Sequence, residues 1–463
     1  MTLSNHTSFP RIVGLAVAAF ACASAGCSGE PLEEKRSRAL PVSTDCQACH
    51  APHIPGGPLH AVELSFVLEQ PLDWEPAKLG YAVLGDDDAC TGSCHRAHAE
   101  DTLARTQWAI GPHGERGDPK PAWSSTTMSP VCIRCHNGAG FATYADVSNA
   151  SYPAWVLPPT TVKTAWFPTC DSCHDKTGYP TADDPRLRFK SSKVALVSGS
   201  PAPGTVVVDA TLDVGAQSAT CMLCHQYRES GTTLYANILG KGGDLNNAAS
   251  IDVPITTSAV TPHYAGVGAM LFSIKAYEVA GKRYSPGNTF HQDLGCVGCH
   301  MYKSDDPARG GHTVAPAGCQ RCHGVDFTHD DFPRVGRLQD VDGDGQASPP
   351  QAELAGLQKQ IIDVFTSNGM YFNVNVRPYF FDTNDPALQN STSGHAITSF
   401  TPRQLAVIFN LFFVMKDPAA FVHNYRYAAQ ILRDSYELLT GTSLAGVRPA
   451  TADDRPARTY GSP

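Results

Sequence analysis

Cys46-Gln47-Ala48-Cys49-His50 contains two cysteines separated by two residues, and a histidine follows the second cysteine directly. The same arrangement returns five more times, and a further copy has one extra residue between its cysteines. In chain order, motifs 1 to 7 are Cys46/Cys49/His50, Cys90/Cys94/His95, Cys132/Cys135/His136, Cys170/Cys173/His174, Cys221/Cys224/His225, Cys296/Cys299/His300 and Cys319/Cys322/His323. The first two thirds of the chain are therefore organised around this repeat.

The spacing of the motif is typical of covalent haem attachment. The two thiols form thioether bonds to the haem vinyl groups, and the adjacent histidine ligates the iron. Zinc sites and disulfides also use paired cysteines, but neither needs a histidine after the second cysteine of every pair. Histidine accounts for 18 of 463 residues, so chance does not explain its place after all seven pairs. The motifs predict seven haem c groups, with the motif histidines as proximal ligands.

The composition indicates a loop-rich fold. Gly (40) and Pro (35) are abundant, which favours a mostly irregular and helical chain with few short β-strands around its cofactors. Alternating polar and apolar residues predict strands at 59–68 and 205–212. The haem-free segments 141–169 and 226–262 are predicted to be surface loops or small β-excursions. A formal charge of −9 argues against nucleic-acid binding.

The N-terminus predicts an export signal. Arg11 precedes the apolar run 12–20, which gives way to small residues. The run is too short for a permanent transmembrane helix, and no later segment is long enough. Ser24-Ala25-Gly26-Cys27 is similar to a bacterial lipobox with an unfavourable first residue, whereas Ala23-Ser24-Ala25 suits an ordinary signal peptidase.

The cysteine count favours the lipobox. Fourteen of the 16 cysteines lie in haem motifs and Cys22 leaves with the signal, so Cys27 is the one that remains. Lipidation gives Cys27 a function; a free or removed thiol is the alternative. The expected divisions are a signal peptide at 1–27, a tether at 28–45, a multihaem region at 46–330 and, at 331–463, a calcium-loop-like turn with C-terminal helices that pack on the haem region.

The start of this last region is similar to a calcium-binding loop. Asp340, Asp342 and Asp344 occupy positions one, three and five, and glycine occupies position six. Position twelve is Gln351 instead of a bidentate glutamate, and the nearest acid is Glu353. The sequence predicts a calcium ion here, with an ordinary acidic turn before a helix as the alternative.

Three C-terminal helices are predicted from apolar residues at helical spacing. They span 351–366, 402–415 and 423–439, and Gly441 ends the last of them.

Two stretches carry a family resemblance. Pro262-His263-Tyr264, Lys275–Glu278, Phe290-His291 and Cys296–Met301 occur in an order that resembles multihaem cytochromes of anaerobic respiratory bacteria. The segment 409–432 resembles the C-terminal helical segment of many multihaem cytochromes, including the nitrite and hydroxylamine oxidoreductase-like group.

The resemblance implies a set of distal iron ligands. His263 and His291 correspond to typical distal ligands, His312 precedes motif 7 in the same way, and His423 corresponds to a histidine that can ligate from the far side. A histidine three residues after a motif commonly reaches a neighbouring haem, which applies to His53 and His98. A structural or surface histidine is the alternative at each position. The complete candidate set is His53, His98, His113, His263, His291, His312 and His423.

The histidine count favours electron transfer. Seven motif histidines leave eleven, or ten after removal of His6 with the signal. Every iron could therefore have two histidine ligands, and such a haem cannot bind a substrate without losing one. The sequence predicts no catalytic residue. It predicts an exported heptahaem c-type cytochrome that relays electrons in anaerobic or extracellular respiration.

Two other functions stay open at this stage. One is a haem oxidoreductase acting on nitrite, hydroxylamine or a sulfur oxyanion at an open iron; the other is a subunit of a cytochrome filament. The expected partners are redox proteins, such as cytochromes or an outer-membrane porin–cytochrome complex, or an extracellular acceptor. The expected location is the periplasm or cell surface as an outer-membrane lipoprotein, with the membrane contacted by the lipid anchor only.

Overall fold

The C-terminal third of the protein folds into a helical core. In this computed structural model, the described residues are 113, 134–136, 138–151, 170–174, 187–202, 205–247, 252–254, 261–263, 266–302, 316–324, 326–328 and 338–460. In chain order, their helices and strands are α1 (Gly138–Ser151), α2 (Cys170–Cys173), β1 (Lys193–Ala202), β2 (Thr205–Asp213), α3 (Ala216–Met222), α4 (Gly231–Leu239), α5 (Val267–Leu271), β3 (Arg283–Tyr284), α6 (Thr289–His300), α7 (Pro316–His323), α8 (Pro350–Ser367), β4 (Tyr371–Phe372), β5 (Phe380–Phe381), α9 (Pro402–Met415), α10 (Ala420–Thr440) and β6 (Arg455–Pro456).

Helix α9 lies at the centre because it is apolar on every side. All residues from Leu405 to Val414 are buried, and the helix contacts α4, α8 and α10. Thr401 begins the helix with a capping box in which its side chain and that of Gln404 each bond the other's backbone. Its buried amide, Asn410, bonds the backbone of Tyr277 at 2.8 and 2.9 Å. This amide ties the sequence before motif 6 to the helical core.

The three predicted C-terminal helices are confirmed as α8, α9 and α10. Each agrees with the sequence because its apolar spacing and end signals are strong: Pro350 occupies the first turn of α8, and Gly441 takes a left-handed conformation (φ 73°) after α10. Helix α10 packs on α5 and α8 as well as on α9. One hydrophobic cluster extends from Phe141 to Leu432, so residues near the haem motifs share a core with these helices.

The predicted fold class is confirmed: the described part is mostly helical or irregular, with strands in three two-stranded sheets. The 205–212 strand is confirmed as β2, which pairs antiparallel with β1. The prediction of a strand at 59–68 lies outside the described residues. None of the described helices has the length and apolar character that crossing a membrane requires.

The prediction of loops at 141–169 and 226–262 is wrong in part. Helix α1 covers the start of the first segment, and its Phe141, Tyr144 and Ala145 are buried at helical spacing. Helix α4 lies in the second segment and begins with a capping box between Ser230 and Thr233. The Pro, Gly and Ser content of these segments led to the prediction of loops. The helices form there because packing against the core stabilises them.

Candidate haem centres

Each described motif lies on a helical turn. In motif 5, the backbone N–H groups of Cys224 and His225 donate to the carbonyl of Cys221 at 3.1 and 2.9 Å. Motifs 6 and 7 close helices α6 and α7. Because residues i, i+3 and i+4 share one helix face, both thiols and the imidazole lie on the same side in motifs 5, 6 and 7. This is the local arrangement that two covalent anchors and one iron ligand require.

A glycine separates motif 6 from the residues before it. Helix α6 is kinked at the buried Gly295, which has φ 62° and ψ −169°. Residues with a β-carbon rarely adopt this conformation, whereas glycine does so readily. The kink gives His291, in the first turn, a different direction from His300, in the last.

Four histidines that lie outside the motifs each face a motif histidine. The ring centroids are 5.7 Å apart for His136/His263, 5.9 Å for His225/His113, 6.3 Å for His300/His423 and 6.3 Å for His323/His291. These four combinations are called the facing pairs below. Each joins one motif histidine to one of the distal candidates.

The separations in the facing pairs suit two ligands of one metal ion. Two imidazoles that bind an ion from opposite sides, through bonds of about 2 Å, have ring centroids roughly 6 Å apart. The donor set of each facing pair therefore fits the two axial positions of a haem iron.

Burial keeps two of the motif histidines in the form that binds a metal. Desolvation by burial, followed by the nearby His263, lowers the pKa of His136 to about 4. Burial, followed by the nearby His113, lowers the pKa of His225 to about 3. Both imidazoles are thus neutral at pH 7, with a ring nitrogen available as a ligand.

His423 is held by a carboxylate. Its Nδ1 lies 2.8 and 2.9 Å from the two oxygens of Asp417, whose side chain is fully buried. Desolvation lowers the pKa of His423, but the hydrogen bond and charge of Asp417 outweigh it, and the pKa is raised. Asn424 then interrupts α10 with an extended backbone (φ −164°), and its side-chain amide donates to Ser273. Asp417 and the interruption together fix the direction of the His423 ring.

The described motifs adjoin one another. The thiol of Cys224 in motif 5 lies near that of Cys135 in motif 3, and the thiol of Cys221 lies near that of Cys296 in motif 6. Motifs 6 and 7 meet at two glycines: a β-carbon at Gly318 would lie 3.0 Å from the carbonyl oxygen of Gly298. Motifs 3, 5, 6 and 7 therefore form a contiguous row.

Cys322 of motif 7 lies in a different environment from the other described motif cysteines. Cys322 is solvent-exposed, whereas the other motif cysteines whose burial is described are partly covered by the protein: Cys135, Cys173, Cys221, Cys224, Cys296, Cys299 and Cys319. The physical reason is its place in the fold, because Cys322 lies one residue before the end of α7, at the end of the row. A thioether bond requires access to the haem vinyl group and not burial of the sulfur. Cys322 therefore stays a predicted anchor.

A carboxylate cluster lies apart from this row. Asp340, Asp342 and Glu353 place ligand oxygens within 4.8 Å of one another. Asp344, the third residue of the predicted calcium set, instead accepts a hydrogen bond from the backbone of Gln346 at 2.7 Å. Glu353 joins the cluster because α8 carries it back against the loop, where it also accepts from the N–H of Asp342 at 2.9 Å.

Known proteins with related sequences are polyhaem cytochromes. The chain is 22% identical over 362 residues to the C-type polyheme cytochrome OmcC of Geobacter sulfurreducens, which covers 68% of this chain and 44% of that protein. It is 24% identical over 270 residues to the C-type polyheme cytochrome OmcB of the same organism, covering 51% and 32%. The chain is a relative of the multihaem c-type cytochromes. It spans less than half the length of these two relatives, and no family model and no solved structure matches it.

The remaining predicted site residues lie either inside or outside the part of the chain that the structure describes. His174 of motif 4 is described and forms a β-bridge with Leu187. The residues outside the described part are Cys27, Cys46, Cys49, His50, His53, Cys90, Cys94, His95, His98, Cys132 and His312. Sequence reasoning did not single out Asp417, although the signal is present: an acidic residue precedes a proline turn and lies six positions before a candidate ligand.

Proposed function

We propose that this protein is an exported heptahaem c-type cytochrome that relays electrons through haems with two histidine ligands. The facing pairs carry the proposal, because four separate distal candidates each lie opposite a different motif histidine at 5.7 to 6.3 Å. Haem, when bound, supplies reversible one-electron chemistry at its iron. With both axial positions taken by imidazoles, these centres have no position for a substrate.

The residues have three roles in this proposal. The motif cysteines anchor haem, the motif histidines are proximal ligands, and His113, His263, His291 and His423 are distal ligands of motifs 5, 3, 7 and 6. His53, His98 and His312 would serve the other haems. The contiguous row of motifs supports a relay, since short separations between neighbouring cofactors are what electron transfer needs.

The proposal extends to location and partners. The relatives are named as polyhaem cytochromes of a Geobacter species, and together with the export signal this supports extracellular respiration. A lipid on Cys27 would hold the tether 28–45 at the outer membrane and leave the haem region 46–330 in the periplasm or at the cell surface. The partners would be other cytochromes, a porin–cytochrome complex or an extracellular acceptor.

The haem count and spin state test the proposal. The mature protein is expected to weigh seven haems more than the processed polypeptide, and its oxidised spectrum is expected to be entirely low-spin. A variant with Cys221→Ser and Cys224→Ser serves as the internal standard and should lose one haem. A high-spin haem in the unaltered protein would contradict the relay and favour an oxidoreductase with an open iron.

We also propose calcium at the carboxylate cluster, with Glu353 in place of Asp344. Three carboxylates at this separation suit a hard divalent cation. Glu353→Gln is expected to weaken Ca²⁺ binding at least tenfold in calorimetric titration, whereas Asp344→Asn, the matched control, should have a smaller effect. Equal affinities in the two variants would show that Glu353 does not ligate the ion.

A further inference from the structure

Asp417 distinguishes one facing pair from its neighbour. It is buried between α9 and α10, where its backbone N–H bonds Val414 and its Oδ1 accepts from the N–H of Ala419 at 3.1 Å. These bonds fix the carboxylate, and both its oxygens face Nδ1 of His423. The inference drawn from this contact rests on the proposed function, in which His300 and His423 ligate one haem iron.

In the neighbouring pair, the motif histidine His225 lacks such a carboxylate contact. Nδ1 of His225 is buried, and within the described part of the chain it has no hydrogen-bond partner. His225 nevertheless lies close enough to His300 and His423 for their charges to influence it. Two adjacent centres thus differ in the group behind a ligand: an anionic acceptor behind His423 and no acceptor behind His225.

The difference has a chemical consequence for the metal. A carboxylate that accepts the Nδ1 proton makes the imidazole a stronger electron donor, and its negative charge acts through a poorly screening interior. Both effects stabilise the oxidised, more positive iron over the reduced one. We propose that Asp417 is a positioning residue that gives the His300/His423 centre a lower reduction potential than the adjacent His225/His113 centre. The order of two potentials sets the direction in which electrons pass between them.

The order can be measured in the unaltered holoprotein. His423→Ala and His113→Ala each remove one distal candidate, so the low-spin signal lost in each variant identifies one haem. A redox titration of the unaltered protein then gives the potentials of those two signals. The signal assigned to His423 should be the lower, and the reverse order would overturn the proposal even if no Asp417 variant folds.

The carboxylate itself is tested by Asp417→Asn, which keeps the shape and an acceptor oxygen but removes the charge. The His423-assigned signal is expected to rise by about 59 mV, a tenfold change for one electron, while the others stay within a few millivolts. Asp417→Glu should return the potential toward that of the unaltered protein. Asp382→Asn is the matched control, because the exposed Asp382 bonds Nδ1 of the partly buried His395 at 2.7 Å.

The outcomes separate this inference from the proposed function. Unchanged potentials in Asp417→Asn would overturn the inference and leave the relay intact. A high-spin haem in Asp417→Asn would also overturn it, since the carboxylate would then hold the ligand without tuning the iron. If the unaltered protein lacks a low-spin haem that depends on His423, the proposed ligation itself fails.

Discussion

Replacing His423 by alanine is expected to convert one of the seven proposed haems, about a seventh of the total, from low-spin to high-spin. The ring of His423 faces His300 at 6.3 Å, so under the proposed ligation its removal would open one position at the iron while His300 and both motif cysteines remain. Paramagnetic resonance of the oxidised protein measures the change. His113→Ala, His263→Ala and His291→Ala should each open one different haem.

The control for these variants is His395→Ala. His395 also bonds an aspartate, but it is only partly buried and is not a member of a facing pair. All seven haems should therefore stay low-spin when it is removed. A high-spin signal in this control, or its absence in His423→Ala, would contradict the assignment of the His300/His423 centre.

Replacing Glu278 by alanine is expected to lower the free energy of unfolding by about 3 kcal/mol. Glu278 is fully buried, and its carboxylate bonds Arg455 at 2.6 and 2.7 Å and accepts from the hydroxyl of Tyr427 at 2.9 Å. Arg458 also donates to it through its guanidinium. The loss leaves a buried hydroxyl and two cationic side chains without their acceptor. Because both arginines keep some solvent contact, the lower end of the range for a broken buried pair applies.

Denaturant unfolding of the holoprotein measures this loss, with Asp363→Ala as the control. Asp363 pairs with Lys359 one helical turn away on the exposed surface of α8. Such a pair contributes about 0.3 to 0.5 kcal/mol. A Glu278 variant as stable as the control would mean that the C-terminal segment does not depend on this carboxylate.

The helices that the sequence predicted are those whose end signals and apolar pattern lie within one segment of the chain. Helix α9 has a capping threonine, a proline in its first turn and an unbroken apolar run, all of which act within one segment. Helix α1 lacks both a proline in its first turn and an unbroken apolar run, and it depends on burying Phe141 and Tyr144 against distant residues. The partner strand β1 was missed for a related reason, since strand pairing joins residues that are separate in sequence.

In the candidate calcium loop, too, the sequence pattern did not predict which side chains the fold brings together. The spacing of Asp340, Asp342 and Asp344 indicated three ligands within one turn. In the fold, Glu353 and not Asp344 lies beside Asp340 and Asp342, because the start of α8 turns that carboxylate back toward the loop. Spacing along the chain counts intervening residues, but it does not determine which side chains converge.

The haem motifs can be read directly from the amino-acid sequence, since two thiols and an imidazole on one helical turn need only residues i, i+3 and i+4. The sequence also supplied the pool of distal candidates. Which histidine faces which motif depends on the fold, because His113 and His225, or His300 and His423, are more than a hundred residues apart and meet through packing. The contact between Asp417 and His423 also depends on the fold. A carboxylate can influence the reduction potential of a proposed centre only when the fold buries it against one of the candidate ligands.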